Sequence, residues 1–194
     1  MTVRTGTPVP AHATTSDLQA SAPRYYWRSL TYNIYTGVGW RTSGIEETKY
    51  EPGAQATWPS MTHRRQLRQE VEMLGDIGDL IYVAGTLMAV DQPYEIAWRQ
   101  PNEIFAATLD VVETTETEAR GYRADSTIPV VTEDELRAAG NIYPDWILDR
   151  YLQLPESTPE RLLVLARDLT ATEPTPYDRA RAIERYLREF PYNL

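Results

Sequence analysis

The chain has 194 residues, of which 42% are hydrophobic and 24% charged, and a formal net charge of −9 at pH 7. This composition is typical of a globular protein with enough apolar material for a sizeable core, and the negative charge argues against nucleic acid as a partner. The sequence has no cysteine, which excludes a disulfide framework, a thiolate zinc site and a thiol nucleophile within it.

The first part of the chain predicts a linker that leads into a β-rich domain. Residues 1–23 are rich in Thr, Ala, Pro and Ser, so we expect a disordered linker. Residues 25–35 combine β-forming residues with alternation, which predicts a long strand closed by a turn at Gly37-Val38-Gly39. The polar stretch 41–65 predicts a long loop that holds a short edge strand near residues 48–51.

Further short strands follow, so residues 24–131 are predicted to form an antiparallel β-sandwich-like domain. Residues 66–74 place Leu67, Val71 and Met73 on one face and charged side chains on the other, which is typical of a half-buried strand. The charged stretch 113–118 predicts a hairpin loop. The other predicted strands cover residues 80–83, 86–90, 94–99, 104–113 and 119–131.

Residues 132–194 predict a helical segment, so the fold class is α+β. Thr132 is a candidate cap for a helix over residues 133–139 that ends at Gly140, and Pro144 opens a second short helix. Two longer helices each begin with a Thr-Pro pair, at Thr158-Pro159 and at Thr175-Pro176, and each pair predicts a capping Thr followed by Pro at the first helical position.

Both longer helices carry an apolar stripe that needs a partner surface. The two stripes consist of Leu162, Leu165, Ala166 and Leu169 in the first helix and of Ala180, Ile183, Leu187 and Phe190 in the second. The chain stops soon after the second stripe, and we therefore expect the last helix to belong to a larger helical unit.

Several segments of the sequence resemble bacterial transglutaminase-like membrane proteins. Residues 145–155, 166–170 and 175–187 are similar to the approach to the catalytic core in that family. Tyr26-Trp27-Arg28-Ser29-Leu30-Thr31, with Gly39-Trp40, resembles the start of its extracytoplasmic region. Together these segments are distributed along most of residues 25–194.

The resemblance implies that membrane spans precede the region and that a Cys-His-Asp triad follows the helix pair. No triad position transfers to this sequence, because His12 lies in the predicted linker and His63 in a polar loop, and neither has a nucleophile to serve. We therefore expect a non-catalytic, extracytoplasmic portion of a membrane-anchored protein that supports or gates its own downstream transglutaminase-like core. No catalytic residue, cofactor or metal site is expected in this chain.

A different class of function stays open, namely a free-standing module that binds glycan or peptide through Tyr and Trp faces. The candidate surface consists of Tyr25, Trp27, Trp40 and Trp58, with core packing as the alternative role for most of these rings. Trp58, beside Pro59 in a long loop, is the best candidate for exposure.

Three groups of charged residues are weaker candidates for a functional site. Asp76 and Asp79 resemble part of a calcium loop but lack a ladder of further oxygen ligands, so a turn is the simpler interpretation. Glu70 and Glu72 resemble the carboxylate pair of a glycosidase, but two carboxylates on one exposed strand face imply no enclosed cleft, so solubilising residues are the simpler interpretation. His63-Arg64-Arg65 with Arg68 form a basic cluster, which adjacent glutamates dilute.

Overall fold

The computed structural model describes residues 1–6, 25–73, 78–99, 103–110 and 121–191. Within these ranges the chain forms eleven strands and four helices, which confirms the predicted α+β class. The strands are β1 (Thr2–Gly6), β2 (Trp27–Arg28), β3 (Ile34–Tyr35), β4 (Trp40–Arg41), β5 (Ile45–Tyr50), β6 (Arg64–Glu72), β7 (Val83–Ala84), β8 (Thr86–Val90), β9 (Tyr94–Arg99), β10 (Glu103–Leu109) and β11 (Gly121–Pro129). The helices are α1 (Glu133–Ala138), α2 (Asp145–Tyr151), α3 (Glu160–Thr170) and α4 (Pro176–Leu187).

The chain divides into two compact units. The β-rich unit contains Met1–Tyr32 and Thr42–Val130, and the helical unit contains Val131–Leu194 together with Asn33–Arg41. The latter segment is the β3–β4 hairpin, which the sequence prediction places in the domain of residues 24–131. Its turn is the predicted one: Gly37 has φ +89°, and the Thr36 amide donates to the Gly39 carbonyl at 2.9 Å.

Two antiparallel sheets make up most of the β-rich unit. The larger has the order β1-β6-β11-β8, and the smaller has the order β10-β9-β5. The edge strand predicted near residues 48–51 is therefore present as β5. The half-buried strand predicted over residues 66–74 is present as β6, and Leu67, Val71 and Met73 are all buried.

Side chains from both sheets share one apolar core, as a sandwich-like arrangement requires. Full burial of a large apolar side chain such as Leu or Ile stabilises a fold by about 1.5–3 kcal/mol. The core consists of Val71, Met73, Ile81, Val83, Leu87, Val90, Tyr94, Ile96, Ala107, Leu109, Tyr122 and Ala124.

The N-terminal strand differs from the predicted disordered linker. Residues 2–6 form β1, which pairs antiparallel with β6 from Thr2 opposite Glu72 to Gly6 opposite Arg68. Composition alone did not predict this strand, because its ordering depends on hydrogen bonds that the otherwise open edge of β6 supplies. Residues 7–23 of the predicted linker lie outside the described residues.

The single strand predicted over residues 25–35 is divided into β2, an isolated bridge at Leu30, and β3. Each piece has a different antiparallel partner: β2 pairs with β7, Leu30 with Ala106, and β3 with β4. Exposure alternates along this segment, and the apolar side chains of Tyr26, Leu30, Tyr32 and Ile34 lie on its exposed side. A change of partner along a segment cannot be inferred from local alternation.

Gly85 connects β7 to β8 at a point that only glycine fits. Its φ is +83°, and a Cβ there would lie 2.2 Å from the Thr127 carbonyl oxygen and 2.7 Å from Ile128 Cγ2. Because both the backbone conformation and the close approach exclude a side chain, Gly85 permits β7 and β8 to stay close to β11.

Ion pairs at mostly exposed positions join α1 to α4 in the helical unit. Arg137 of α1 donates to Asp178 of α4 and to Glu133 at 3.0 Å each, and Arg181 of α4 donates to Glu133 at 3.1 Å. Exposed ion pairs of this kind contribute only about 0–1 kcal/mol each. Ala182 is the one buried residue among the four helices.

Large apolar side chains of the helical unit remain exposed. Within the predicted stripes, Leu165, Ala166, Leu169 and Ile183 are half-buried, whereas Leu162, Ala180, Leu187 and Phe190 are exposed. Leu187 is 60% and Phe190 54% exposed. None of the helices in the described part of the chain combines the length and the apolar character that a membrane crossing needs.

Candidate interaction surface

Tyr25 and Trp27 of the candidate surface pack on the core. Both are partly buried against the cluster of Leu67, Ala84 and Ile128, and their rings form an edge-to-face pair with centroids 6.5 Å apart. Arg65 donates to the Tyr25 hydroxyl at 2.8 Å. These contacts correspond to the packing role that the sequence analysis keeps open for the two rings.

Trp40 lies in the β3–β4 hairpin of the helical unit. It is 60% exposed, and its ring is tilted against that of Tyr35 with centroids 5.2 Å apart. The four aromatic residues of the candidate surface are thus divided between the two units of the chain.

Trp58 stands on a loop that is anchored along the free edge of β8. The amides of Gly53 and Ala56 donate to the carbonyls of Val90 at 2.6 Å and Met88 at 2.8 Å. The Thr57 hydroxyl donates to the Leu87 carbonyl. The loop therefore covers the edge strand as a further strand would, and it holds the adjacent Trp58 in place.

The indole of Trp58 lines a groove of about 490 Å³ and is 80% exposed. The floor is the outer face of the larger sheet, which contributes side chains from β6, β11 and β8, and the loop forms a wall. The lining residues are Gly53, Gln55, Trp58, Pro59, Met61, Gln66, Arg68, Met88, Ala89 and Asp125.

A β-bulge brings Met88 into this groove. Asp125 of β11 pairs with Ala89, whereas the next residue, Ser126, pairs with Leu87, so Met88 is an extra residue in β8. Leu87 and Val90 belong to the apolar core, while Met88 lines the groove. A bulge re-aims a side chain in this manner without interrupting the sheet.

Arg68 and Asp125 form a two-point ion pair on the floor of the groove. Arg68 Nε and Nη2 donate to the two carboxylate oxygens of Asp125 at 2.7 Å each. The hydrogen bond with Asp125 raises the pKa of Arg68 above its ordinary value, against a smaller opposing effect of burial. The pair adds no net charge to the groove, and both side chains remain partly exposed.

The other charged candidates that lie in the described ranges are bonded within the chain or exposed. The arginines of the basic cluster are engaged within the chain: Arg64 donates to Thr86 and Thr127, Arg65 to Tyr25, and Arg68 to Asp125. Glu70 and Glu72 are exposed on β6, Asp79 is exposed, and Asp76 lies outside the described residues. Across the described ranges, no three His, Cys, Asp or Glu side chains are grouped as metal ligands.

Sequence reasoning singled out Trp58 but missed the residues that complete its groove. Gln55 and Met61 lie in the same polar loop, where no periodicity distinguishes them. Gln66 and Asp125 come from different strands, and Met88 faces the groove only because of the bulge. No local signal in the sequence joins these residues.

The comparisons with known proteins give one relative and no fold match. The chain is 30% identical over 174 residues to a Bacillus subtilis (strain 168) protein named Uncharacterized protein YebA. This alignment covers 84% of the chain and 23% of the relative, so the chain spans less than a quarter of the relative's length. No protein-family model and no solved structure matches the chain.

Proposed function

We propose that this chain is the non-catalytic, extracytoplasmic portion of a longer membrane-anchored transglutaminase-like protein. In this proposal it supports or gates a catalytic core that follows it. The observation that carries the proposal is the exposed apolar surface of the helical unit, which has one buried residue in its four helices and leaves Leu162, Leu187 and Phe190 exposed.

Exposed apolar faces of this extent favour a unit that packs against further protein. A helix gains most of its stability from tertiary packing of its apolar face, and contiguous exposed apolar surface marks an interaction site. The contacts that join α1 to α4 are mainly exposed ion pairs, which stabilise weakly. A following core is the partner that the proposal assigns to these faces.

Two further observations support the proposal that this chain is part of a longer protein. The matched relative is more than four times as long as the aligned segment, since that segment covers 23% of it. The segments that resemble the approach to the catalytic core in transglutaminase-like membrane proteins include α2, the last five residues of α3 and all of α4, so this part of the resemblance and the exposed helices fall in the same unit. The sequence supplies no thiol for the chemistry of that family.

The source gene and an activity assay test the proposal together. We expect the reading frame to continue beyond codon 194 and to encode a Cys followed by a His and an Asp. A soluble product that includes this continuation should transfer or hydrolyse acyl groups on glutamine-containing or other peptide substrates, and replacement of that Cys by Ala should abolish the activity.

Chain 1–194 alone is the matched control and should be inactive in the same assay. A stop codon directly after codon 194 would contradict the proposal. Acyl transfer or peptide hydrolysis by chain 1–194 itself would contradict it as well.

A further inference from the structure

We propose that the groove beside Trp58 binds a neutral glycan, with the indole stacked against one sugar ring. The inference concerns the β-rich unit alone and does not depend on the function proposed above. It rests on three features of the groove: an exposed aromatic platform, unpaired planar amides, and the absence of net charge among the lining residues.

The platform is exposed, and the loop that precedes it is held by hydrogen bonds. Trp58 is 80% exposed, yet the loop that precedes it is bonded to the carbonyls of Leu87, Met88 and Val90. A pyranose ring presents a face of polarised C–H bonds, which the electron-rich face of an indole attracts. Because the loop is fixed before binding, little conformational freedom is lost when a ligand stacks there.

Two amides beside the platform are available for hydroxyl groups. Gln55 and Gln66 line the groove, and the structure gives their side chains no hydrogen-bond partner among the described residues. Each amide offers two donors and one acceptor oxygen in a plane. Vicinal sugar hydroxyls need a donor and an acceptor side by side, which a planar amide supplies.

The electrostatics of the lining favour a neutral ligand. Arg68 and Asp125 are the two ionisable residues of the lining, and they neutralise each other through their two-point pair. A polyanion would meet a chain of net charge −9 with no unpaired cation in the groove. The volume of about 490 Å³ is in the range of small-ligand sites, with room for a short run of sugar rings.

A peptide fits the same groove less well. Extended peptides bind either by adding a strand to an open sheet edge or by filling several apolar or aromatic pockets. The edge of β8 is already bonded to the loop of residues 53–57, and Trp58 is the one aromatic side chain of the lining. The two glutamine amides and the single aromatic ring of Trp58 therefore favour a glycan over a peptide.

The test follows the indole signals of the unmodified chain 1–194 by ¹⁵N–¹H NMR. The chain has five tryptophans, so the signal that is lost in Trp58→Ala identifies Trp58. The probes are cellohexaose, chitohexaose and mannohexaose, each added up to about 10 mM, a range that detects binding in the millimolar class. We expect at least one of them to shift the Trp58 signal in a saturable manner and to leave the Trp40 signal unchanged.

The variants separate stacking from hydrogen bonding. Trp58→Ala should weaken the binding at least about tenfold, and Gln66→Ala by about threefold, because each removes a contact in the groove. Since the Trp58 indole signal is missing from Trp58→Ala, the affinity of each variant is followed through the backbone amide signals that the same glycan shifts in the unmodified chain. Trp40→Ala is the matched control, since it removes an exposed indole from the other unit and should leave the affinity unchanged.

Several outcomes would overturn the inference. One is the absence of any saturable Trp58 shift with all three glycans. Another is unchanged affinity in Trp58→Ala. A third is a saturable shift with a proline-rich peptide when none occurs with the glycans, which would assign the groove to the peptide class.

Discussion

The hydroxyls of Tyr122 and Tyr94 form hydrogen bonds with backbone groups inside the β-rich unit. Tyr122 on β11 donates to the Tyr82 carbonyl at 2.7 Å and accepts from the Tyr82 amide at 2.6 Å. Tyr94 on β9 donates to the Ala54 carbonyl at 2.6 Å, at the base of the Trp58 loop. Burial raises the pKa of each phenol to about 12, so the neutral form is strongly favoured in the folded chain.

These two pKa values predict a loss of stability at alkaline pH. A phenol with a raised folded pKa contributes fully below its unfolded pKa of 10.0, and the contribution is lost as the pH rises towards about 12. For Tyr122 the loss amounts to about 2–3 kcal/mol in the free energy of unfolding. Urea unfolding of the wild type and of Tyr122→Phe between pH 9 and about pH 12 measures it.

Tyr122→Phe should unfold more easily than the wild type at neutral pH, by about 1–3 kcal/mol, because the Tyr82 amide loses its acceptor. Its further loss above pH 10 should be smaller than that of the wild type. Tyr26→Phe is the control, since Tyr26 is 87% exposed, and it should leave the pH dependence unchanged. Equal alkaline slopes for wild type and Tyr122→Phe would refute the assignment.

At this scale the sequence allowed single residues to be predicted but not their surroundings. The exposure of Trp58 follows from its place beside Pro59 in a polar loop, a local property. The partners Gln66, Asp125 and Met88 depend on the register of three strands and on a one-residue bulge. Register is set by long-range pairing, so the candidate groove could not be assembled from sequence alone.

Among the elements, the helix starts illustrate what a local motif determines. Thr132 and Thr175 both cap their helices: each side chain accepts a hydrogen bond from the amide three residues on, at Glu135 and Asp178 respectively. Thr158 was predicted to do the same, but α3 begins at Glu160 behind Pro159, with no side-chain cap. The prediction for Thr158 is therefore wrong.

The difference lies in the residue at the third helical position. The Glu135 carboxylate accepts hydrogen bonds from the Thr132 amide and hydroxyl. The Asp178 carboxylate accepts one from the Thr175 hydroxyl. Bonding to Thr175 and to Arg137 also lowers the pKa of Asp178. Arg161 occupies the corresponding place after Thr158, and its guanidinium has no acceptor to offer the hydroxyl.

This contrast predicts opposite effects of one substitution at two similar motifs. Thr175→Val should reduce the stability of the helical unit by about 1 kcal/mol, because it removes a cap. Thr158→Val should be neutral or stabilise by up to about 1 kcal/mol, because the Thr158 hydroxyl is buried with no partner among the described residues. Urea unfolding followed by far-UV circular dichroism measures both, and a similar loss in the two variants would contradict the assignment.

Strands were less predictable than helices because their hydrogen-bond partners are distant in the sequence. The existence of β6, β8, β9, β10 and β11 follows from alternation and turn residues. The ordering of β1 and the division of residues 25–35 depend instead on which strand edges lie nearby. Helix caps bond within four residues of the chain. By contrast, β1 pairs with β6 across 62 to 70 residues, and Leu30 pairs with Ala106 across 76 residues.

On the scale of the whole molecule, the two units differ in how they are stabilised. The β-rich unit has a shared apolar core of twelve side chains, whereas the four helices of the helical unit contain one buried residue, and exposed ion pairs join α1 to α4. The proposal of a longer protein connects this difference to function, since it assigns the packing of the exposed helical faces to a core beyond this chain. The glycan proposal places ligand binding in the unit with its own core, where a groove can be rigid.

The proposed packing predicts that the same substitutions act differently in the short and the long protein. In chain 1–194, Leu187→Ser should change the free energy of unfolding by less than about 0.5 kcal/mol, since Leu187 is 60% exposed. Phe190→Ser should cost about 0.5–1.5 kcal/mol there, because it removes the edge-to-face contact with Tyr186. In a longer product that includes the following core, each should cost about 1.5–3 kcal/mol, the value of a fully buried Leu or Phe. Leu67→Ala in the β-rich core is the control and should cost about 2–5 kcal/mol in both. Urea unfolding of matched pairs measures the difference, and equal effects of Leu187→Ser in the two proteins would mean that the helical face does not pack on the core.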